Sequence, residues 1–323
     1  MSSAARLTRL TGVFTRRRTP LPDDPFDPRV FARLGRLRFR FTRAYGARAG
    51  ETMVRGLTQD SGIEVESFKT YTPGDDIRYV DWNAVGRLDQ LLTRRFVAER
   101  EIPVHVLLDA SASMAVPADD RKFAFAVRLA AALAYVALNS NDPVRVAAFR
   151  LGADGVAVAE SPLLRHRGRY LNLKPYFAAL EPAGATALLE GVSHYLERHR
   201  ERGVAFVLSD FLVPPERYAS GFDRLRARGF EAHAIQIVGA EERALSRLGG
   251  RLRLRDAESG AIRDVMLSSS DRSRYGAAFA ERIAEVRSFC HRSAIGHAVV
   301  STSDPVERCL TTILPAAGML RLK

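Results

Sequence analysis

Five short runs dominated by apolar residues, separated by stretches of helix length, constrain this chain more than any other feature. They are "VHVLLD" from Val104, "VRVAAFR" from Val144, "VAFVLSD" from Val204, "EAHAIQIV" from Glu231 and "HAVVST" from His297. Strands covered on both faces read as near-continuous apolar runs, because neither set of side chains meets water. Alternation of such runs with helical segments predicts a mostly parallel, Rossmann-like α/β sheet with helices on both faces. Helices are expected over Lys122–Leu138, Tyr170–Leu180, Thr186–Arg200, Glu216–Arg228 and Arg272–Ser293, with a short last one. "GVAVAES", from Gly155, reads as an edge strand. "RLRLRDAESGAIRDVML" reads as a hairpin insertion near 250–268 that turns at Ser259 and Gly260.

Upstream of this domain, 102–323, the pattern changes. Residues 50–101 alternate as "GIEVESFKTY" and "LLTRRFVAERE" and predict a small β-rich unit. Pro73 and Gly74 suit a type II turn that projects Asp75 and Asp76. Trp82, the single tryptophan, is expected to cap a local core, since no second aromatic follows at the spacing of a base-stacking platform. Residues 1–49 read as a basic N-terminal arm and helix, with a proline-rich linker "TPLPDDPFDPR" followed by a helix over Val30–Gly46.

Charge distribution matters more than its total. Of the net +12, the first 50 residues carry +9, twelve arginines against Asp23, Asp24 and Asp27. The rest of the chain is nearly balanced, which argues against a protein-wide nucleic-acid groove. The +9 balance of the arm, with Leu7, Leu10, Val13 and Phe14 beside Arg16, Arg17 and Arg18, leaves attachment to an anionic membrane or to nucleic acid through the arm as an alternative role. No apolar run is read as reaching the roughly 18 residues of a membrane span, nor is a signal-peptide core seen, so a cytoplasmic location is expected. Cys290 and Cys309 offer neither a disulfide framework nor a thiolate metal site. His105 and His291 read as core or interface histidines.

Ligands of open parallel sheets bind beyond the carboxyl ends of the strands, where strand order reverses. Asp109 and Asp210 end two such strands. Ser111 and Ser113 follow the first, with small alanines between, and Thr186 opens a later helix. All are hard oxygen donors, which favours Mg²⁺, then Mn²⁺ or Ca²⁺, over zinc. Helix capping and loop hydrogen bonding are the alternative roles for the same residues.

The D-x-S-x-S pattern at Asp109, Ser111 and Ser113, a later Thr186, and Asp210 at a strand end resemble the metal-ion-dependent adhesion site of von Willebrand factor A domains. "GIEVESFKTYTPGDDIRYVDWNAVGR" resembles the signature of the bacterial family called domain of unknown function 58. One departure is Ala185, where that family often has glycine before the threonine. The resemblance implies a non-catalytic, metal-dependent protein-binding module working with a MoxR-type AAA+ ATPase in assembly or maturation of a client protein. The client would offer an acidic residue to the metal. A Mg²⁺-dependent phosphoester hydrolase is the alternative, although no phosphate loop and no second acid accompany the motif.

Overall fold

The computed structural model describes residues 34–41, 65–73, 77, 80–88, 90–96, 101–244 and 250–322. The chain forms two units, Met1–Thr42 with Ile102–Lys323, and Arg43–Glu101.

The larger unit is built on a six-stranded sheet. Its strands are β1 (Val104–Asp109), β2 (Val144–Gly152), β3 (Gly155–Glu160), β4 (Val204–Ser209), β5 (Glu231–Val238) and β6 (Gly296–Ser301), in spatial order β6-β5-β4-β1-β2-β3. All neighbours are parallel except β3, which returns antiparallel to β2 at the edge. Every residue of β1, β4 and β5 is buried, as their mostly apolar runs predict, while the edge strand β3 alternates between exposed and half-buried. His105 of β1 is buried in the core, as expected, with Nδ1 2.6 Å from the Tyr195 hydroxyl. Burial, with the charge of Arg145 second, pushes its pKa down to about 3. His291 instead is exposed near the end of its helix.

Helix α1 (Lys122–Asn139) lies against β1 and β2 on one face. Helices α2 (Leu188–Arg198) and α3 (Pro215–Ala227), with the last turns of α4 (Ser269–Arg292), share the other face through Val192, Tyr195, Tyr218, Phe222, Val286 and Cys290. Ser268 and Asp271 close the start of α4 with a reciprocal capping box. The hydrophobic stretch Ala118–Asn139 is, contrary to the sequence reading, long and apolar enough to cross a membrane by length and composition. Its composition has a local cause, since 83% of that window is buried within the protein. Leu37–Phe39, the short 3₁₀ helix Arg167–Asn172 and the helix Val306–Arg308 also pack against α1, and the Phe39 ring meets Phe206 of β4 at 5.1 Å. An α-helix enclosed on all sides has no polar stripe to show.

One expectation fails here. The helix predicted over Val30–Gly46 is replaced, in its described part, by the strand Leu37–Phe39, paired antiparallel with Leu320–Leu322. The alternation Leu37, Arg38, Phe39, Arg40 gives the physical reason: Leu37 and Phe39 are buried while the arginines between them are not. Asn139 Nδ2 donates to the Gly35 carbonyl at 2.9 Å and ties the end of α1 to this segment. The hairpin insertion forms from Gly250–Arg255 and Ile262–Leu267, largely exposed along both strands.

In the smaller unit, Val65–Thr70 and Leu92–Phe96 pair antiparallel around a helix, Trp82–Leu88. Asp81 Oδ1 accepts from the Asn83 and Ala84 N–H groups at 3.0 and 3.3 Å, which caps this helix. Trp82 therefore stands in the first turn and is 63% exposed, so it caps no core. Of the expected turn, Gly74, Asp75 and Asp76 lie outside the described residues, as does the arm before Leu34.

Candidate metal centre

Chain order along the sheet reverses between β1 and β4. The first three strands run outward to one edge, and β4 then returns to the other side of β1. Asp109 ends β1 and Asp210 directly follows β4, so both acids stand at the crevice such a reversal opens.

Asp109 is fully buried. Its Oδ1 accepts the Ser111 N–H at 3.0 Å and its Oδ2 accepts the Ser209 hydroxyl at 2.7 Å. Ser111 Oγ lies 3.0 Å from Ser113 Oγ and 3.2 Å from Thr186 Oγ1. The loop after β1 and the loop before α2 thus bring four of the five expected residues into one continuous polar set. Burial, followed by the negative charge of Asp210, pushes the Asp109 carboxyl up to about 6, against the hydrogen bonds from Ser209 and Ser111.

Asp210, the fifth residue, is close enough to act on Asp109 electrostatically but is bound elsewhere. Its Oδ2 accepts from Lys122 Nζ at 2.8 Å and its Oδ1 accepts the Leu212 N–H at 3.2 Å. Lys122 is fully buried and also donates to Glu242 Oε1 at 2.9 Å. Burial alone would lower the Lys122 pKa, but the Asp210 and Glu242 charges outweigh it and raise it above the ordinary lysine value. Glu242 is itself held above the usual carboxylate range by burial, against the pull of Lys122. An internal cation therefore compensates Asp210, and Asp109 is left without a lysine or arginine partner among the described residues.

Thr186 is not a helix cap. The α2 N-cap is Ala187, with no side-chain bond, and the Thr186 side chain turns into the site. Presentation of Thr186 depends on Gly184 rather than on Ala185. Gly184 has φ +70°, and a Cβ there would lie 2.1 Å from the Leu151 carbonyl oxygen. Ala185 exchanges two backbone hydrogen bonds with Leu151, so the residue that departs from the family habit is accommodated. Gly184→Ala is expected to lower stability by about 2 kcal/mol through left-handed strain and the clash. An unfolding midpoint equal to wild type would show that the loop yields instead.

Four residues of the site were not singled out from sequence: Lys122, Ser209, Glu242 and Glu258. Lys122 had a signal, as one of four lysines beside 45 arginines, placed in the first turn of an apolar helix where the dipole disfavours a cation. Ser209 ends an otherwise apolar strand. Glu258 sits at the tip of the exposed hairpin yet is half-buried. Its Oε1 accepts from Thr186 Oγ1 at 2.8 Å and from the Thr186 N–H at 3.2 Å. No local pattern announces that fold-back.

Among the described residues no three His, Cys, Asp or Glu side chains gather to hold a metal ion. The donor set here is instead hydroxyl-rich, which suits a hard, oxygen-seeking cation.

Over 235 residues this chain is 32% identical to the uncharacterized protein Rv1480 of Mycobacterium tuberculosis, with 72% of each chain covered. The same figures hold for the uncharacterized protein Mb1516 of Mycobacterium bovis. Among solved structures, the conserved hypothetical protein BatB from Bacteroides thetaiotaomicron is similar at 14% identity and a TM-score of 0.36, over 59% of this chain and 99% of that one. The pilus adhesin SpaC from Lactobacillus rhamnosus GG is similar at 12% identity and a TM-score of 0.38, over 65% and 29%. Residues 67–285, which include every site residue named above, match the family described as "Protein of unknown function DUF58". The chain belongs to that family.

Proposed function

We propose that this site takes up a divalent cation, Mg²⁺ before Mn²⁺ or Ca²⁺, and uses it to capture an acidic residue of a partner protein without catalysis. Asp109, Ser111, Ser113 and Thr186 would hold the ion, with Asp210 adding negative charge from behind. The ion would supply an electropositive point that a carboxylate can reach.

The buried Asp109 carboxylate, without a lysine or arginine partner among the described residues and beside three clustered hydroxyls, carries this reading, and the oxygen spacing is compatible with it. Octahedral Mg²⁺ with bonds of about 2.0–2.1 Å sets neighbouring ligand oxygens about 2.9 Å apart. The Ser113–Ser111 and Ser111–Thr186 oxygen separations are 3.0 and 3.2 Å. A cation would also offset the Asp109 charge, which no lysine or arginine among the described residues matches. These residues, in their chain order, resemble the metal-ion-dependent adhesion site of von Willebrand factor A domains. A cytoplasmic role beside a MoxR-type AAA+ ATPase, in assembly or maturation of a client, extends the same reading.

The hydrolase alternative needs a carboxylate free to move a proton, and both oxygens of Asp210 are engaged, by Lys122 and by the Leu212 N–H. Calorimetric titration with Mg²⁺ tests the proposal: wild type should take up one ion and Asp109→Ala none. Identical traces for the two proteins would sink it.

A further inference from the structure

We infer that Glu258 is a built-in occupant of this site, filling from within the chain the position a partner's acidic residue takes at the metal. The inference rests on the metal reading above and adds what that reading lacks, an identified carboxylate and a reason for the hairpin.

Three observations meet on Glu258. First, it is half-buried at the tip of a hairpin whose strands are largely exposed, and what it reaches is the buried Thr186 of the site, through both Oγ1 and the N–H. Second, the 2.8 Å between Glu258 Oε1 and Thr186 Oγ1 extends the series 3.0 and 3.2 Å along Ser113, Ser111 and Thr186. Each separation is near the edge of a Mg²⁺ octahedron, about 2.9 Å. Third, the charges call for a cation. Asp109 joins the hydroxyl set through the Ser111 N–H and Glu258 joins it through Thr186, and among the described residues no lysine or arginine pairs with either. A side chain brought in only to accept from Thr186 could be neutral, whereas a carboxylate adds charge beside an already uncompensated acid.

The turn that carries Glu258 is internally braced. Asp256 Oδ1 accepts the Glu258 N–H at 3.2 Å and the Ser259 N–H and hydroxyl at 2.6 Å each. Gly260, at φ +70°, then turns the chain back into the second strand. The carboxylate is thus offered on a pre-formed loop, at the high effective concentration of a tether, roughly millimolar. A partner must displace it, so the partner chemistry is that of the tip itself: an Asp or Glu on a short, turn-forming segment.

The test uses the full chain, Mg²⁺ and a synthetic peptide of residues 253–263, followed by fluorescence anisotropy. With Mg²⁺ present, Glu258→Gln should bind the peptide at least about tenfold more tightly than wild type, because the tethered competitor is gone. EDTA should abolish that binding, and a peptide with glutamine at 258 should not bind. Equal affinity for the two proteins, or binding to neither, overturns the inference. Mg²⁺ calorimetry on the same samples and on Asp109→Ala separates the two failures. Asp109-dependent Mg²⁺ uptake without the peptide difference overturns only the role of Glu258, and no such uptake by either protein overturns the metal reading and this inference together.

Discussion

Replacing Lys122 with methionine is expected to destabilise the protein by about 3–5 kcal/mol, the usual penalty for removing one member of a buried ion pair. Methionine keeps the unbranched stem and removes the ammonium, so the Asp210 and Glu242 carboxylates are left without the cation that bridges them at 2.8 and 2.9 Å. The loss comes from stranded buried charge rather than from lost packing. A triple variant, Lys122→Met with Asp210→Asn and Glu242→Gln, should therefore recover most of it. Urea unfolding of both proteins checks the pair of results. A single-variant loss below about 1 kcal/mol would place this triad with weak, exposed ion pairs. Where Lys122→Met stays folded at low temperature, its Mg²⁺ affinity should rise, because a fixed positive charge behind Asp210 has gone.

Exchanging Asp109 for asparagine is expected to do two opposite things. In metal-free protein at neutral pH it should raise stability by about 2 kcal/mol, and it should end the response to Mg²⁺. The sign follows from the direction of the shift. The folded-state pKa of Asp109 is about 6, against an ordinary 3.8, because burial and Asp210 disfavour its charge. Between these values the folded protein holds a proton that the unfolded chain has lost. Stability therefore falls as pH rises through this window, and the penalty is complete above pH 6. Asparagine carries no charge, and its Oδ1 can still accept the Ser111 N–H. Thermal unfolding in EDTA should show the variant more stable than wild type at pH 7.5 and equal to it near pH 4. Added Mg²⁺ should then raise the wild-type midpoint alone. A variant less stable than wild type at both pH values would mean that Asp109 is a structural hydrogen-bond acceptor and no strained ligand.

Legibility in the sequence followed the range of the interactions. Burial on both faces writes itself into a strand as a mostly apolar run, so β1, β4 and β5 were visible, and with them the acids Asp109 and Asp210 at the ends of β1 and β4. The small residues around Ser111 and Ser113 also signalled a crowded polar loop. The strand Leu37–Phe39 was misread because arginines at every second position fit a helix as readily as a strand in so short a window. The partner that decides between them, Leu320–Leu322, lies at the far end of the chain. Trp82 was misplaced because Asp81, one residue before it, starts a helix and turns the indole outward. Lys122, Glu242 and Glu258 were missed for a related reason. Each takes its role from a contact across 72 to 120 positions, and only Lys122 left a local trace, as a lysine in the first turn of an apolar helix.

The pairing of Leu37–Phe39 with Leu320–Leu322 also makes the larger unit discontinuous in sequence. Residues 43–101 are spliced into it between its first strand and the rest. The shortest self-sufficient polypeptide is thus not the contiguous stretch from residue 102 onward. Such a fragment would bare Leu320, which pairs with Phe39, and the Phe206 ring that Phe39 covers, both buried in the whole chain, and would be prone to self-association. A deletion confined to residues 43–101 retains both strands in the sequence, and is the one that separates the two units.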